Sequence, residues 1–507
     1  MPRITRSRWA TFAQFGPLML TIMAGFMVVS TQLNHAHIIV KWSFLDINAS
    51  YDLTVQLTSN QLPFLLTLVL LLFVTVIANS PLSSSLLDTG PNSSWFLLGA
   101  GASAIFVSAP PLSLSYAILF FDFGVAFYWF RQRQTDVGIA RLFLAGLTVL
   151  SLLLVTVTPS ELLAVYLLTG TIWLRLVLYP LFELHGRVTN SDDDIIYFCI
   201  SVLVGMYLAI NLLNQPLPTS MGWLTILFLL INGGLIWLNS VSDKTTDRLS
   251  LIRIVVTLSG LSLLIVPAPL ELTIYALTLP LALTTVWLTA NLGRVDSSQR
   301  WRYIPAGVAT ISLIGLPSTL GWLTLVTIYD TLSARGMLFL IALMLCMGLS
   351  LSYLVIYWQR LWFMPLNETE SAPVDSSFTP NMVIGATFVS MVPLLPFVGQ
   401  TALNQITALI IPNLVVPSTE TLVAIGLSWL LAGGAGYYRL DIAQRLKLPL
   451  DRLNQILSSH WLVWLMSPLG RLDKFTLQLQ VILEGKHYMA WVFFIALVGG
   501  LTFLLQS

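Results

Sequence analysis

The sequence predicts an all-α, polytopic membrane protein of about 15 transmembrane helices, with two inverted five-helix repeats and a surface helix near the C-terminal end. Three observations predict it. Of 507 residues, 56% are hydrophobic and 9% charged, where a soluble domain carries about 25% charged; the mean hydropathy is +0.83. Apolar runs of about 20 residues, the length that crosses a bilayer, recur to the end of the chain. The basic residues collect in alternate loops, as the positive-inside rule requires of a correctly counted set of spans.

Taken in order, the runs fall at roughly 9–33, 61–79, 95–109, 111–131, 139–158, 160–182, 192–213, 219–239, 250–267, 269–292, 303–331, 335–363, 380–399, 420–438 and 487–505. The start, Met1-Pro-Arg3-Ile-Thr-Arg6-Ser-Arg8, has the charge of a signal-peptide leader. The run behind it is too long for one and lacks a small-residue cleavage site, so it is read as a retained first span. One set of loops holds Arg3, Arg6, Arg8, Arg131, Arg133, Arg141, Arg187, Lys244, Arg248, Arg294, Arg300, Arg302, Arg439, Arg445, Lys447 and Arg452; the other holds little beyond Lys41 and Arg335. The N-terminus is therefore expected on the cytoplasmic side of a bacterial plasma membrane.

Residues 1–94 read as N-terminal helices, 95–213 as a first set of five spans, 219–363 as a second, and 380–507 as C-terminal helices. In each set the fourth run is interrupted, at Tyr179-Pro180 in the first and at Gly315-Leu-Pro317-Ser-Thr-Leu-Gly321 in the second. Five is odd, so the sets would run in opposite senses, which is the inverted-repeat architecture of transporters. Between about 440 and 483, Leu450, Leu453, Ile456, Leu457, Trp461, Trp464 and Leu465 recur at three-to-four spacing opposite polar residues. That pattern reads as helix lying along the membrane surface, broken near Pro449 and Pro468.

Few charges fall inside a run. Asp122, in Leu119-Phe-Phe-Asp122-Phe-Gly, and Arg175, in Thr171-Ile-Trp-Leu-Arg175-Leu, are the two deepest. A charge at a helix centre in lipid costs roughly 3 kcal/mol or more, and the usual solution is a partner of opposite sign. Asp122 and Arg175 lie two spans apart and are expected to pair. Such a pair is either a proton-coupling site, its carboxylate set by the arginine, or a buried ion pair that fixes helix register and moves nothing. Glu161, Glu271, Asp330 and Arg360 stand near run ends, and Arg253 one turn inside.

Other chemistry is not signalled. All five histidines lie in loops or at run ends. Asp192-Asp193-Asp194 opens a span and reads as a solvated helix start rather than a metal or diphosphate site. Gly99-Ala-Gly101 and Gly433-Gly-Ala-Gly436 read as close helix contacts rather than phosphate loops. Cys199 and Cys346 read as lone buried thiols. No Walker, metal-ligand or Ser-His-Asp pattern is present, and no flavin, iron–sulfur or haem ligand set, so neither a metal nor a cofactor is expected. A net charge of +1 argues against nucleic acid and leaves lipid and other membrane subunits as the expected partners.

Gly315-Leu-Pro317-Ser-Thr-Leu-Gly321-Trp322 resembles the Gly-Leu-Pro-x-x-x-Gly-Phe break of the antiporter-like membrane subunits of respiratory complex I, Mrp sodium/proton antiporters and membrane hydrogenases. The segments from Asp247 to Gly260 and from Ser201 to Tyr207 are similar to two further segments of that family, and the likeness runs from about 95 to 363. The resemblance implies two inverted repeats, each with a broken helix. It also implies a proton-gating pair, a glutamate and a lysine in the family, where Asp122 and Arg175 stand here. Further lysines and a histidine of the family fall on Leu203, Leu281, Thr285 and Leu325. Arginine hardly deprotonates, so Arg175 cannot relay protons as a lysine does. The expectation is a structural subunit of a complex I-like (NADH:quinone oxidoreductase type) assembly with a degenerate proton path. The alternatives are an active proton or cation translocator, of Mrp type or partnering carbon uptake, and a polytopic enzyme on lipid-linked substrates. The last wants acids or a nucleophile in a long loop, and loops 34–60 and 364–379 carry neither cluster.

Overall fold

The structure is a computed structural model, and it describes residues 38–42, 53–57, 61–78, 93–108, 112–131, 135–157, 162–176, 192–212, 217–241, 247–265, 303–317, 319–363, 417–439, 441 and 445. Twelve α-helices stand among them. They are α1 (Leu62–Ala78), α2 (Ser93–Val107), α3 (Leu112–Arg131), α4 (Thr135–Val157), α5 (Leu162–Arg175), α6 (Asp192–Leu212), α7 (Thr219–Val241), α8 (Asp247–Ser262), α9 (Ile304–Ile314), α10 (Leu320–Ser333), α11 (Met337–Phe363) and α12 (Thr419–Tyr437).

Four of these helices, over Leu112–Phe130, Val137–Val155, Thr219–Leu238 and Met337–Gln359, are long and apolar enough to cross a membrane. Large apolar side chains such as Phe120, Phe143, Leu163 and Leu430 stay exposed on their helices. In lipid that is the favourable arrangement, because the solvent is as apolar as the side chain. The chain is a multi-pass membrane protein. The runs expected at 9–33, 269–292, 380–399 and 487–505 and the surface helix at about 440–483 lie outside the described residues, apart from Asp441 and Arg445.

Among the described residues one two-stranded ribbon is not helical. Strands β1 (Ile38–Trp42) and β2 (Leu53–Leu57) pair antiparallel, Ile38 opposite Leu57 and Trp42 opposite Leu53, where the sequence reading has only a loop. The sequences Ile-Ile-Val-Lys-Trp and Leu-Thr-Val-Gln-Leu are rich in β-branched residues, and the second alternates strictly. The 27 residues from 34 to 60, between two expected spans, leave room for a short ribbon, so "all-α" describes the helical bundle and not this connection.

Packing follows chain order within two groups and then joins them. Helices α3 and α4, α4 and α5, and α2 and α3 lie side by side, and α6 closes against α2, α5 and α1. In the second group α7 packs on α8 and α11, and α12 packs on α11 and α10. Small residues set the closest approaches. Gly101 brings α2 to the backbone of Phe121 on α3, where an added Cβ would stand 3.2 Å from its Cα. Gly348 and Gly436 do the same between α11 and α12, against Leu431 and Val355. Gly433 and Gly434 face open space, so only part of that glycine run is a helix contact. The groups meet where Trp173 of α5 stacks 4.4 Å from Phe228 of α7 and the Tyr166 hydroxyl bonds to Ser220 at 2.7 Å. Cys199 and Cys346 are buried and free.

The run at 303–331 divides into α9 and α10, and hydrogen bonds close the described ends of the break. Gly315 adopts φ 71°, ψ 53°, a left-handed cap that suits glycine. Its N–H bonds to Ser312 O at 3.0 Å, and the Leu316 N–H bonds to Ile311 O at 3.2 Å. Thr319 then caps α10 by accepting from the Trp322 N–H at 3.1 Å. The carbonyl of Ile314 accepts the indole N–H of Trp429 from α12 at 3.0 Å. Non-helical backbone at membrane depth survives only when its polar groups find protein partners in this way. A Cβ on Gly321 would collide with the Ser312 carbonyl oxygen, so the second glycine of the motif is required by close approach. The other expected break, at Pro180, lies outside the described residues; α5 itself ends at Arg175, with Leu176 in a turn.

Candidate functional site

The two deepest charges meet. Asp122 stands at the middle of α3 and is 0% exposed; Arg175 is the last residue of α5 and 1% exposed. The guanidinium lies along the carboxylate in a two-point fork. Nη2 donates to Oδ2 at 2.5 Å and Nη1 to Oδ1 at 3.2 Å. Paired N–H···O bonds of this kind are the strongest ion-pair geometry available to side chains.

Helix α4 lies between these two and steadies the fork. Thr148 accepts from Arg175 Nε at 3.0 Å, and its own hydroxyl donates to Leu144 O at 2.7 Å. The threonine thus has its proton engaged and a lone pair turned to the arginine. From the other side α6 comes close through Gly205, where a Cβ would stand 3.0 Å from Leu176 and 3.5 Å from the Arg175 Cβ. Ile118, Phe121, Val125, Leu168, Ile172 and Leu203, all buried, belong to the surrounding core. Both carboxylate oxygens and three guanidinium N–H directions are therefore held, in an apolar setting where leaving either partner alone is expensive.

Two site features are not legible in the sequence. Arg141 is assigned there to a basic loop, but it is the seventh residue of α4 and only 3% exposed. Among the described residues, Asp122 attracts it and Arg175 repels it. Asn232, in an otherwise apolar stretch of α7, is 1% exposed and reaches α8, donating to Arg253 O at 3.1 Å and Thr257 Oγ1 at 2.8 Å. A lone asparagine among leucines gives no hint of its acceptor.

The remaining expected positions divide. Leu203 and Leu325, where the family resemblance implies lysines, are buried, and Leu325 packs over Gly315. Leu281 and Thr285, and all five histidines, lie outside the described residues. Asp192 opens α6 as the acidic run suggests. Asp330 is taken up by α12: its Oδ1 accepts from Thr421 Oγ1 and, at 3.3 Å, from Ser418 Oγ. Among the described residues no three His, Cys, Asp or Glu side chains converge as a metal set.

Comparison with known proteins bears on the fold. No family model and no curated protein matches the chain. Solved structures do. A chain of the Mrp complex from Dietzia sp. aligns over 87% of this chain and 95% of its own, at TM-score 0.61 and 11% identity. A chain of the membrane-bound sulfane sulfur reductase, an archaeal respiratory membrane complex, aligns over 98% and 99%, at 0.57 and 12%. A chain of respiratory complex I from Thermus thermophilus aligns over 80% and 94%, at 0.58 and 16%. The chain shares their fold. Mrp and complex I are two of the assemblies whose subunits carry the break that Gly315–Trp322 resembles. At identities of 11–16% the likeness is one of backbone, and side-chain chemistry has to be argued from this chain itself.

Proposed function

We propose that this chain is an antiporter-like membrane subunit of a multi-subunit assembly of the complex I and Mrp kind, acting as a structural module whose proton path is degenerate. The observation that carries the reading is the Asp122–Arg175 fork. Both partners are buried, bonded at two points and braced by Thr148. A relay needs a group that gains and loses its proton, and arginine does not. The positions where the resemblance implies lysines reinforce the reading, since Leu203 and Leu325 are buried hydrocarbon. A proton wire through the bundle would have to pass both without a titratable side chain.

Two inverted five-helix repeats, 95–213 and 219–363, form the scaffold in this reading. The break from Gly315 to Thr319 and the end of α5 five residues before Pro180 mark corresponding fourth helices. The N-terminus faces the cytoplasm of a bacterial cell, in keeping with the loop arginines. Its partners are other membrane subunits and lipid, and the redox or transport chemistry belongs to those partners. Purification from native membranes in mild detergent tests the proposal. Co-purification of a quinone- or nicotinamide-reactive arm, or of further antiporter-like chains, supports it. A chain that purifies alone and catalyses turnover of a lipid-linked substrate overturns it.

A further inference from the structure

Arg141 has no role in the fork, yet it is buried beside it. It lies seven residues before Thr148 on α4, two turns away and therefore on the same face, the face turned to Asp122 and Arg175. Its side chain is 3% exposed, and among the described residues its buried Nε has no hydrogen-bond acceptor. Asp122 does not satisfy it: its carboxylate bonds to Arg175 and makes no hydrogen bond or ion pair to Arg141. Among the described residues one carboxylate therefore faces two guanidinium groups, and the cluster carries one positive charge in excess.

An excess charge buried in a membrane bundle is costly, and arginine cannot shed it by losing its proton. A buried donor without an acceptor adds its own desolvation cost. Both are relieved by the same thing: a negatively charged acceptor at Arg141. We propose that Arg141 holds a small monovalent anion, chloride or one of its size, against the Asp122–Arg175 pair. One excess charge calls for one negative charge. An enclosed side chain favours a compact ion over an oxyanion with several oxygens to satisfy. The anion neutralises the cluster whether or not protons move through the subunit, so this site stands or falls apart from the proton-path reading.

The test uses the full-length chain in lipid nanodiscs, with chloride replaced by gluconate at constant ionic strength. The wild-type unfolding temperature rises with chloride or bromide and saturates. In Arg141→Gln the half-saturating concentration weakens by about tenfold or more, the effect of losing roughly one charge-assisted bond. Arg141→Lys keeps a saturable response, because it keeps the charge. Asp122→Asn, which adds to the positive excess, shifts half-saturation to lower chloride. If Arg141→Gln does not fold, bromide-soaked wild-type crystals decide, with an anomalous peak expected beside the Arg141 guanidinium. An unfolding temperature indifferent to chloride against gluconate overturns the site. So does a halide response that survives in Arg141→Gln, an absent bromide peak, or an acid of a neighbouring subunit seated on Arg141 in the assembled complex.

Discussion

Trp429 of α12 donates its indole N–H to the carbonyl of Ile314, the last residue of α9, at 3.0 Å. The donor lies 115 residues beyond the acceptor, so the break is completed by a helix far along the chain and outside the repeat proposed for it. Trp322, in the first turn of α10, stands beside it with ring centroids 6.3 Å apart. Substituting Trp429→Phe keeps the ring volume roughly and removes the donor. A cost of about 1 kcal/mol is expected, the typical net worth of one hydrogen bond in or out of lipid. Thermal unfolding in detergent measures it. Trp322→Phe serves as the control, because its indole N–H is not the donor to Ile314; an equal loss in both variants would point to ring packing instead.

The glycines of the break separate by cause. Gly321→Ala drives a Cβ into the Ser312 carbonyl, which is backbone and cannot rotate away. Gly315→Ala meets the side chain of Leu325 and also carries the left-handed φ of 71°, a strain of roughly 1 kcal/mol for a residue with a Cβ. Gly433→Ala meets nothing within 4 Å. Expression and monodispersity should therefore fall most for Gly321→Ala, less for Gly315→Ala and not at all for Gly433→Ala. Adding Leu325→Ala should recover part of the Gly315→Ala loss and none of the Gly321→Ala loss.

The Asp122–Arg175 fork gives a double-mutant cycle. Arg175→Met strands a buried carboxylate, and Asp122→Leu strands a guanidinium. Each should cost about 3–5 kcal/mol, the usual penalty for breaking a buried pair from one side. The double variant Asp122→Leu with Arg175→Met leaves no buried charge at the fork and should be more stable than either single variant. Unfolding temperatures read the sign directly. Additive losses would mean the two side chains do not depend on each other.

How far the sequence carried this differs from element to element, for physical reasons. The fork was legible because charge is rare inside apolar runs: two isolated opposite charges have few other partners. The second break was legible because Gly-Leu-Pro followed by Gly encodes backbone demands, a left-handed cap and a close approach, both of which the structure shows. Arg141 was hidden by its position near the start of a run, where loop and helix arginines look alike. Trp429 was hidden because an indole in an apolar helix carries no sign of which carbonyl it meets. The ribbon of β1 and β2 is weakly encoded although Leu53-Thr-Val-Gln-Leu57 alternates, because five residues carry little signal beside long apolar runs. The helix contacts of Gly99 and Gly101 followed from small-residue spacing, while the same reading at Gly433 met open space.

The most direct measurement is proton translocation by the intact complex, reconstituted in liposomes, with Asp122→Asn in this chain. The charge at the fork changes while the shape is kept, and assembly is checked by co-purification in the same preparation. If the fork is a structural clasp, protons moved per electron pair, or per cation exchanged, stay at the wild-type value once the amount of assembled complex is matched. A fully assembled Asp122→Asn complex that moves fewer protons per turnover would show instead that this carboxylate carries them.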